Sequence, residues 1–216
     1  MDAVYVLGDD AEYLELRYSI RSILSYVDDV VIAGSQKPTW FTGRFIPSPQ
    51  NGSRFTNTSN HLLAAMPEVS DPLLLMNDDF FALRKDSEFG GNQGLLSDWL
   101  DGVRHSVAFR RGGLQAAELL SRTVGVMQCE LHLPMTVRHD PMKEAIGMLR
   151  RREYSEAFKR TVYCSITDDY GPFRKDVKGT MSEGDWTSTR GPDDPIMVTI
   201  QGLYPVPSRW ESDADV

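Results

Sequence analysis

Residues 73–81 read Leu-Leu-Leu-Met-Asn-Asp-Asp-Phe-Phe, and this stretch decides the fold. The apolar run at its start, residues 73–76, is typical of a buried strand, which stops before Asn77. Two adjacent carboxylates, Asp78 and Asp79, follow at the carboxyl end of that strand. Carboxylates are costly to bury unless a cation pairs with them, and a divalent metal that bridges a diphosphate is one such partner. The alternative is a solvated turn, because Asn-Asp is ordinary turn chemistry.

Two apolar runs that end at glycine precede this stretch and predict an α/β fold. Residues 3–8 and 30–34 each read as a buried strand. Apolar residues between them recur at helical spacing as far as Tyr26, and Asp9 with Glu12 reads as a capping box at the start of that helix. Strand, helix and strand in this order predict a layered α/β fold with a parallel sheet. Ligands of such sheets bind outside the carboxyl ends of the strands, where the two carboxylates fall.

The remaining pattern predicts more helices than strands. Residues 37–49 read as a proline-containing connection, and a helix is expected from near Thr56 or Thr58 to a point before Pro67. The elements expected later are a strand at 105–110, a helix opened by Gly112 and Gly113, a strand at 130–135, a helix from Asp140 to about Arg151 and a helix at 153–160. The loop at 90–94 reads as a lid or a surface connection. No repeat or break in composition divides the chain, so we expect one domain over residues 1–211 and an acidic tail over 212–216.

Composition narrows the class of protein. The 216 residues are 41% hydrophobic and 25% charged, which is typical of a globular protein with a sizeable core. The net charge of −8 argues against general nucleic-acid binding, because phosphate contacts need a basic face. Cys129 and Cys164 have no metal-binding spacing and read as reduced core residues, and the basic run at 150–152 reads as a solvated face. We find no signal peptide and no apolar stretch of membrane-spanning length, which predicts the cytoplasm of a bacterium or an infected host cell.

Three kinds of polar side chain are candidates for chemistry on this frame. The carboxylates of Asp78 and Asp79 would hold a metal, with Asn77 beside them. His132 lies in an apolar run, where a hydrogen-bonded core histidine is the commoner role. The planar fork of arginine suits phosphate oxygens, although a single surface arginine is more often structural. The arginine candidates are Arg17, Arg21 and Arg160. Together these groups suggest chemistry at a phosphate or diphosphate.

Several short segments also carry a resemblance to one family. Residues 76–81, Met-Asn-Asp-Asp-Phe-Phe, are the most specific of them. With residues 15–23, 36–40 and 55–60, they resemble consecutive parts of the second conserved region of the Stealth family of capsule-type sugar-phosphate transferases. Shorter segments resemble parts of its first, third and fourth regions, and they are residues 2–5, 130–134, 158–161 and 204–211. The likeness runs in the right order along most of the chain, while the family's insertions and the tryptophan-containing continuation of its first region are absent.

The resemblance implies a single GT-A-like nucleotide-sugar domain with a central mixed, mostly parallel sheet flanked by helices. It implies a nucleoside-diphosphate sugar, such as a UDP-sugar, as donor, a divalent Mg²⁺ or Mn²⁺, and transfer of sugar-1-phosphate to a hydroxyl of a glycan, a protein or another acceptor. By residue match, Asp79 would be a direct metal ligand and Asp78 a second or outer-shell ligand. His132 would act as base or nucleophile, and Arg160 would stabilise charge on the phosphoryl oxygens. The residues assigned to the donor pocket are Arg17, Arg21, Asn57, Asn60 and Asn77.

Two alternatives stay open. The compact chain also fits a glycosyltransferase that breaks the bond at the anomeric carbon, with residues 77–79 as a variant of the Asp-X-Asp motif and His132 as metal ligand or acceptor base. Its acceptor would be a glycan, a protein or DNA. The other alternative is a non-catalytic sugar- or nucleotide-binding protein, or a virion-associated one. The two kinds of transfer release different products, a nucleoside monophosphate for sugar-phosphate transfer and a diphosphate for glycosyl transfer.

Overall fold

The computed structural model describes residues 1–8, 14–82, 89–102, 107–121, 125–154, 158–174, 178–180 and 197–201. Its strands, in chain order, are β1 (Asp2–Val6), β2 (Asp29–Gly34), β3 (Arg44–Pro47), β4 (Leu73–Met76), β5 (Phe80–Ala82), β6 (Met135–Val137), β7 (Lys178–Thr180) and β8 (Met197–Gln201). A central sheet has the order β3-β2-β1-β4-β6, and a smaller one has the order β5-β8-β7. In the central sheet all neighbours are parallel except β4 and β6. The expected α/β fold with a mixed, mostly parallel sheet is thus confirmed.

Helices cover both faces of the central sheet. They are α1 (Leu14–Ile23), α2 (Arg54–Ala65), α3 (Leu96–Gly102), α4 (Val107–Leu119), α5 (His139–Arg151) and α6 (Lys159–Thr167), with a short 3₁₀ helix at Met66–Glu68. Leu73 and Leu75 of β4 pack into the larger core cluster, to which α2 to α6 contribute. Leu74 and Met76 pack into a second cluster with α1. This alternation is the period of two expected for a strand buried on both faces.

The parallel register aligns the ends of the strands. Tyr5 of β1 lies opposite both Ile32 of β2 and Met76 of β4. Residues that follow β1, β2 and β4 therefore emerge at one edge of the sheet, which we call the carboxyl edge. The carboxylates that follow β4 lie at this edge, where α/β sheets bind their ligands.

The first 76 residues follow the prediction closely, apart from one strand. The strand at 73–76 has the predicted bounds, and α2 begins near the predicted start with Ser53 as its N-cap. Residues 44–47, predicted as part of a connection, form the edge strand β3 instead. Strand β3 pairs with β2 from Val31↔Arg44 to Gly34↔Pro47. The short sequence of β3 does not predict a strand by itself, because its hydrogen bonds come from β2. Asp9 and Glu12 lie outside the described residues.

The region around the double glycine was predicted wrongly. Residues 107–110 belong to α4 and form no strand, and residues 103–106 lie outside the described part of the chain. Gly112 and Gly113 lie inside that helix and do not open it. A Cβ on Gly113 would come within 3.0 Å of Trp99 Cζ3, so the close approach of α3 explains why a glycine is placed in the middle of a helix.

Other predicted boundaries also shift. Residues 130–134 form a loop, and β6 begins only at Met135. Helix α5 begins at His139, with Arg138 as its N-cap, rather than after an Asp140 cap. The predicted helix at 153–160 does not begin at Glu153, which has a left-handed φ of 55°, and α6 starts only at Lys159. Residues 155–157 lie outside the described part of the chain. The predicted tail at 212–216 lies outside the described residues.

Three remaining expectations have clear outcomes. Both cysteines are free and buried, as predicted. The loop at 90–94 is anchored and is not a plain surface connection, because Asn92 is buried and exchanges main-chain hydrogen bonds with Pro172 and Arg174. Among the helices that the structure describes, none is both long and apolar enough to cross a membrane.

Candidate active site

The candidate site begins where β4 ends. Main-chain residues 77–79 reverse direction before β5, and the Phe80 N–H donates to the Asn77 carbonyl at 3.4 Å. The side chains of Asn77, Asp78 and Asp79 are half-buried, whereas Phe80 is only 1% exposed. An apolar strand and a buried phenylalanine therefore bracket the carboxylates and hold them at the carboxyl edge.

Two hydroxyl groups fix this turn from beneath. The Tyr5 hydroxyl lies 2.9 Å from Ser19 Oγ, and Ser19 Oγ donates to the Phe80 carbonyl. Because serine has one hydroxyl proton, Tyr5 is the donor in the first bond. Burial raises the pKa of the Tyr5 phenol well above its usual range. The hydrogen bond to Ser19 lowers this pKa and the nearby Asp78 carboxylate raises it, so the net change is upward. The phenol therefore stays protonated at physiological pH and keeps its bond to Ser19.

Helix α1 also holds the strand that follows the turn. Ser22 Oγ accepts from the Ala82 N–H at 3.0 Å and donates to the Ser19 carbonyl at 2.7 Å. Two serines, one turn apart on α1, thus bind both ends of β5.

Arg160 joins this turn to a distant part of the chain. Arg160 is only 5% exposed. Its Nη1 donates to the Leu131 carbonyl at 2.9 Å and to the Leu133 carbonyl at 2.6 Å. Its Cζ lies 5.5 Å from the centre of the Phe80 ring. Burial lowers the pKa of the guanidinium, and nearby carboxylates, including Asp79, oppose that change. One buried cation therefore connects the carboxylate turn with the loop at 131–133.

His132 lies on that loop, between the two carbonyls that Arg160 binds. It is half-buried, and its ring centre lies 6.5 Å from that of Phe109, with the rings tilted by 31°. Phe109 in turn packs against Phe158 at 4.8 Å and Trp99 at 5.5 Å. Arg160 fixes the main chain of the loop, while this aromatic group packs beside the imidazole.

The structure thus brings together Asp79, Arg160 and the loop that carries His132, although they are far apart in sequence. Two asparagines assigned to the donor pocket instead form hydrogen bonds within α2 and its neighbours. Asn57 closes its own loop, since its side chain accepts from the N–H groups of Asn51 and Gly52. Asn60 accepts from Arg150 of α5.

The two arginines of α1 are exposed and stack on aromatic rings. Arg17 lies 5.3 Å from the centre of the Trp40 ring, and Arg21 lies 5.6 Å from that of Tyr18. Each contact is a cation–π interaction, in which the guanidinium keeps hydrogen-bonding edges for other groups. Both arginines project from the helix that supports the carboxylate turn.

The carboxylate pair suits a hard divalent cation. Mg²⁺ and Mn²⁺ bind oxygen ligands, and Mg²⁺ in particular is commonly held by one or two carboxylates together with substrate phosphates. In the described part of the chain, no group of three or more His, Cys, Asp or Glu side chains is placed to hold a metal. Asp78 and Asp79 are the side chains of this turn that could hold such a metal, whose remaining ligands would come from a bound phosphate.

Sequence reasoning missed the residues that support the site. Tyr5 and Ser19 are both fully buried, and Glu130 Oε1 accepts from the Arg160 N–H at 2.6 Å. The available signal for the first two was a polar tip within an apolar pattern, because a buried tyrosine or serine needs a hydrogen-bond partner. Glu130 gave no such signal, because its partner lies 30 residues further along the chain, on α6.

Comparisons with known proteins give remote structural likenesses. No family model and no curated protein matches this sequence. A crystal structure of an active-site mutant of LgtC has a TM-score of 0.49 at 12% identity, over 100% of this chain and 94% of that chain. The apo form of the glycosyltransferase GlyE from Streptococcus pneumoniae TIGR4 has a TM-score of 0.48 at 13% identity, over 99% of this chain and 59% of that chain. At these values the likenesses define no family for the chain, and the Stealth resemblance stays a prediction.

Proposed function

We propose that the protein is a transferase that uses a nucleoside-diphosphate sugar, with Mg²⁺ or Mn²⁺, and that the donor's diphosphate binds at the turn of residues 77–79. One observation supports the proposal above all. Asp79, Phe80, Arg160 and the loop that carries His132 lie close to one another at the carboxyl edge of a mostly parallel sheet. A carboxylate pair that could hold a metal, a buried cation and a histidine are groups that suit chemistry at a diphosphate.

Each residue has a role that its contacts support. Asp79 and Asp78 would hold the metal, which neutralises negative charge on the diphosphate. Arg160 offsets the charge of the carboxylate turn and fixes the carbonyls on either side of His132. His132 would take the proton of the acceptor hydroxyl, because a neutral imidazole is the usual general base near neutral pH.

For the reaction itself we favour transfer of sugar-1-phosphate. The acceptor oxygen then attacks the phosphorus that carries the sugar, the bond from this phosphorus to the bridging oxygen breaks, and nucleoside monophosphate leaves. The acceptor proton passes to His132. Positioning and electrostatic stabilisation account for most of the catalysis of such transfers, which suits a site built on carboxylates and a buried arginine.

A specific contact favours glycosyl transfer as the second candidate. Arg160 Nη1 is committed to two main-chain carbonyls within a buried setting, as a positioning residue would be. In that reaction the bond at the anomeric carbon breaks, the sugar moves to the acceptor, and nucleoside diphosphate leaves. His132 would again accept the hydroxyl proton.

The nucleotide product distinguishes these reactions. The full chain is incubated with Mn²⁺, a set of UDP-sugars and a mixture of hydroxyl acceptors, and the released nucleotide is identified by chromatography. We expect UMP. Release of UDP alone would exclude sugar-phosphate transfer while keeping the transferase, and release of neither nucleotide across the donor set would contradict the proposed enzyme class.

The same assay includes a matched pair of variants. Asp79→Asn should lower kcat by about 10²–10³, because a group that stabilises transition-state charge is lost. It should also abolish the Mn²⁺-dependent rise in Tm caused by UDP. The control is Asp140→Asn, since Asp140 is exposed and pairs only with Lys143 at 3.4 Å among the described residues. Equal activity in the two variants would remove Asp79 from the metal site.

A further inference from the structure

A second cleft lies between α2, α5 and the start of α6. Phe55, Thr56 and Ser59 line it from α2, while Arg150 and apolar side chains line it from α5. Tyr154 and Lys159 complete the lining. Lys159 and Arg160 are consecutive, yet they serve different places, because Arg160 binds the loop of His132 whereas Lys159 Nζ donates to Thr58 Oγ1 of α2 at 3.2 Å.

The cleft is cationic within an acidic protein. The chain has a net charge of −8, yet none of the described residues that line the cleft is an Asp or a Glu. Within the described ranges, neither Lys159 nor Arg150 forms an ion pair. Arg150 instead donates to Asn60, which is neutral. Among the described residues, these two cations therefore have neutral hydrogen-bond partners, while the Glu118 carboxylate bonds Tyr154 at the same cleft.

The environment of the Lys159 ammonium favours an anion beside it. Burial lowers the pKa of its ammonium to about 8, and Arg160 and Arg54 lower it further, while Glu130 opposes the change. Each of the unfavourable effects would be relieved by an anion beside the ammonium. The hydroxyls of Thr56 and Ser59 add neutral donors along the same wall.

We propose that this cleft binds the phosphate group of an organic phosphate, at a site separate from that of the donor's diphosphate. Two cations from different helices and two hydroxyls offer donors in several directions, which suits a tetrahedral oxyanion better than a planar carboxylate. The organic part packs on Phe55 and the apolar side chains of α5. The proposal stands independently of the transferase reaction.

Phenyl phosphate is the probe, because it combines the phosphate with an apolar ring. Calorimetric titration of the full chain, without metal or nucleotide at pH 7, should show saturable binding. Lys159→Met and Arg150→Met should each weaken it about tenfold or more, since each removes a charge-assisted hydrogen bond. The matched controls are Lys143→Met and Arg151→Met on the exposed side of α5, which should bind like the unaltered chain. Arg150→Met keeps the test valid if Lys159→Met fails to fold.

The pH dependence of binding gives an independent readout. The ligand becomes a dianion above about pH 6, and Lys159 loses its proton as pH rises through about 8. Affinity should therefore be highest between these values and fall at pH 9, while Lys159→Arg should keep its affinity at pH 9. Among the described residues, the charged or titratable groups around the ammonium and the cleft are Arg54, Glu118, Glu130, Arg150, Tyr154 and Arg160.

Three results would overturn the proposal. Binding that survives both Met substitutions would remove the cleft as the site. Equal affinity for benzoate would show that the cleft does not select phosphate. Loss of phenyl phosphate binding in Asp79→Asn would place the anion at the carboxylate turn, whereas unchanged binding in that variant, with or without transferase activity, supports a separate site.

Discussion

Two regions form the candidate active site, and they are held in different ways. The turn segment, residues 77–82, continues a core strand, accepts a hydrogen bond from the Ser19 hydroxyl and donates one from the Ala82 N–H to Ser22 Oγ. The α6-held loop, residues 126–134, depends on a helix further along the chain. Its Cys129 N–H donates to Thr161 Oγ1 at 3.0 Å, and Arg160 binds two of its carbonyls.

The difference concerns the charge of the partner as well as its position. A hydrogen bond between a neutral hydroxyl and a carbonyl contributes about 1 kcal/mol net, and its removal costs about 1–3 kcal/mol where a buried group is left without a partner. A buried guanidinium is different, because its burial is costly and its acceptors are left unsatisfied without it. We therefore expect the α6-held loop to tolerate substitution less well than the turn segment, although both belong to one site.

The largest effect is expected from Arg160→Met. This substitution leaves the Leu131 and Leu133 carbonyls without their donor and removes the cation near Asp79. The free energy of unfolding should fall by about 3–5 kcal/mol, as for other buried charged networks that lose one member. Urea unfolding followed by circular dichroism measures the change.

Arg151→Met is the matched control, because Arg151 is exposed on α5, and it should change the free energy of unfolding by about 0.5 kcal/mol or less. Arg160→Lys keeps a charge but loses the two-carbonyl geometry, so it should fall between them. A loss of under about 1 kcal/mol in Arg160→Met would show that the loop does not depend on the arginine.

The turn segment should respond less strongly. Ser19→Ala removes the donor to the Phe80 carbonyl and the acceptor of the Tyr5 hydroxyl, and should cost about 2–3 kcal/mol because two buried groups lose their partner. Tyr5→Phe removes only one bond and should cost about 1 kcal/mol. Urea unfolding again gives both values. A larger loss in Tyr5→Phe than in Ser19→Ala would contradict the assigned order of donors.

The turn segment was also the easier region to predict. Four apolar residues between Pro72 and Asn77 allow few structures other than a buried strand, and its observed bounds are the predicted ones. The position of Asp78 and Asp79 at the carboxyl edge then follows from parallel topology. The pattern of local residues was sufficient because neighbouring strands supply the remaining hydrogen bonds.

The α6-held loop could not be predicted in that way. Residues 130–135 alternate between polar and apolar side chains as a strand does, but only Met135 belongs to a strand. Arg160 binds the carbonyls of Leu131 and Leu133, which a neighbouring strand would otherwise bind. The proximity of Arg160 to Asp79 is likewise a property of the folded chain. Sequence reasoning selected both residues as candidates through residue type and resemblance, and spacing alone could not show that they meet.

The smallest effect concerns the packing beside the α6-held loop, and two glycines provide a matched pair. Gly113 lies inside α4, where a Cβ would approach Trp99 Cζ3 at 3.0 Å and Phe158 Cε2 at 3.4 Å. Gly147 lies inside α5, where the nearest atom to a Cβ is Arg151 Nη1 at 3.5 Å, an ordinary contact.

Alanine at an unhindered helical position stabilises by about 0.5–1 kcal/mol, so Gly147→Ala should raise the free energy of unfolding by that amount. Gly113→Ala should lower it by about 1–2 kcal/mol, because the added methyl displaces the aromatic rings that pack beside His132. Stabilisation by both substitutions in urea unfolding would show that the rings can move aside, and the aromatic group would then hold the loop less firmly than its contacts indicate.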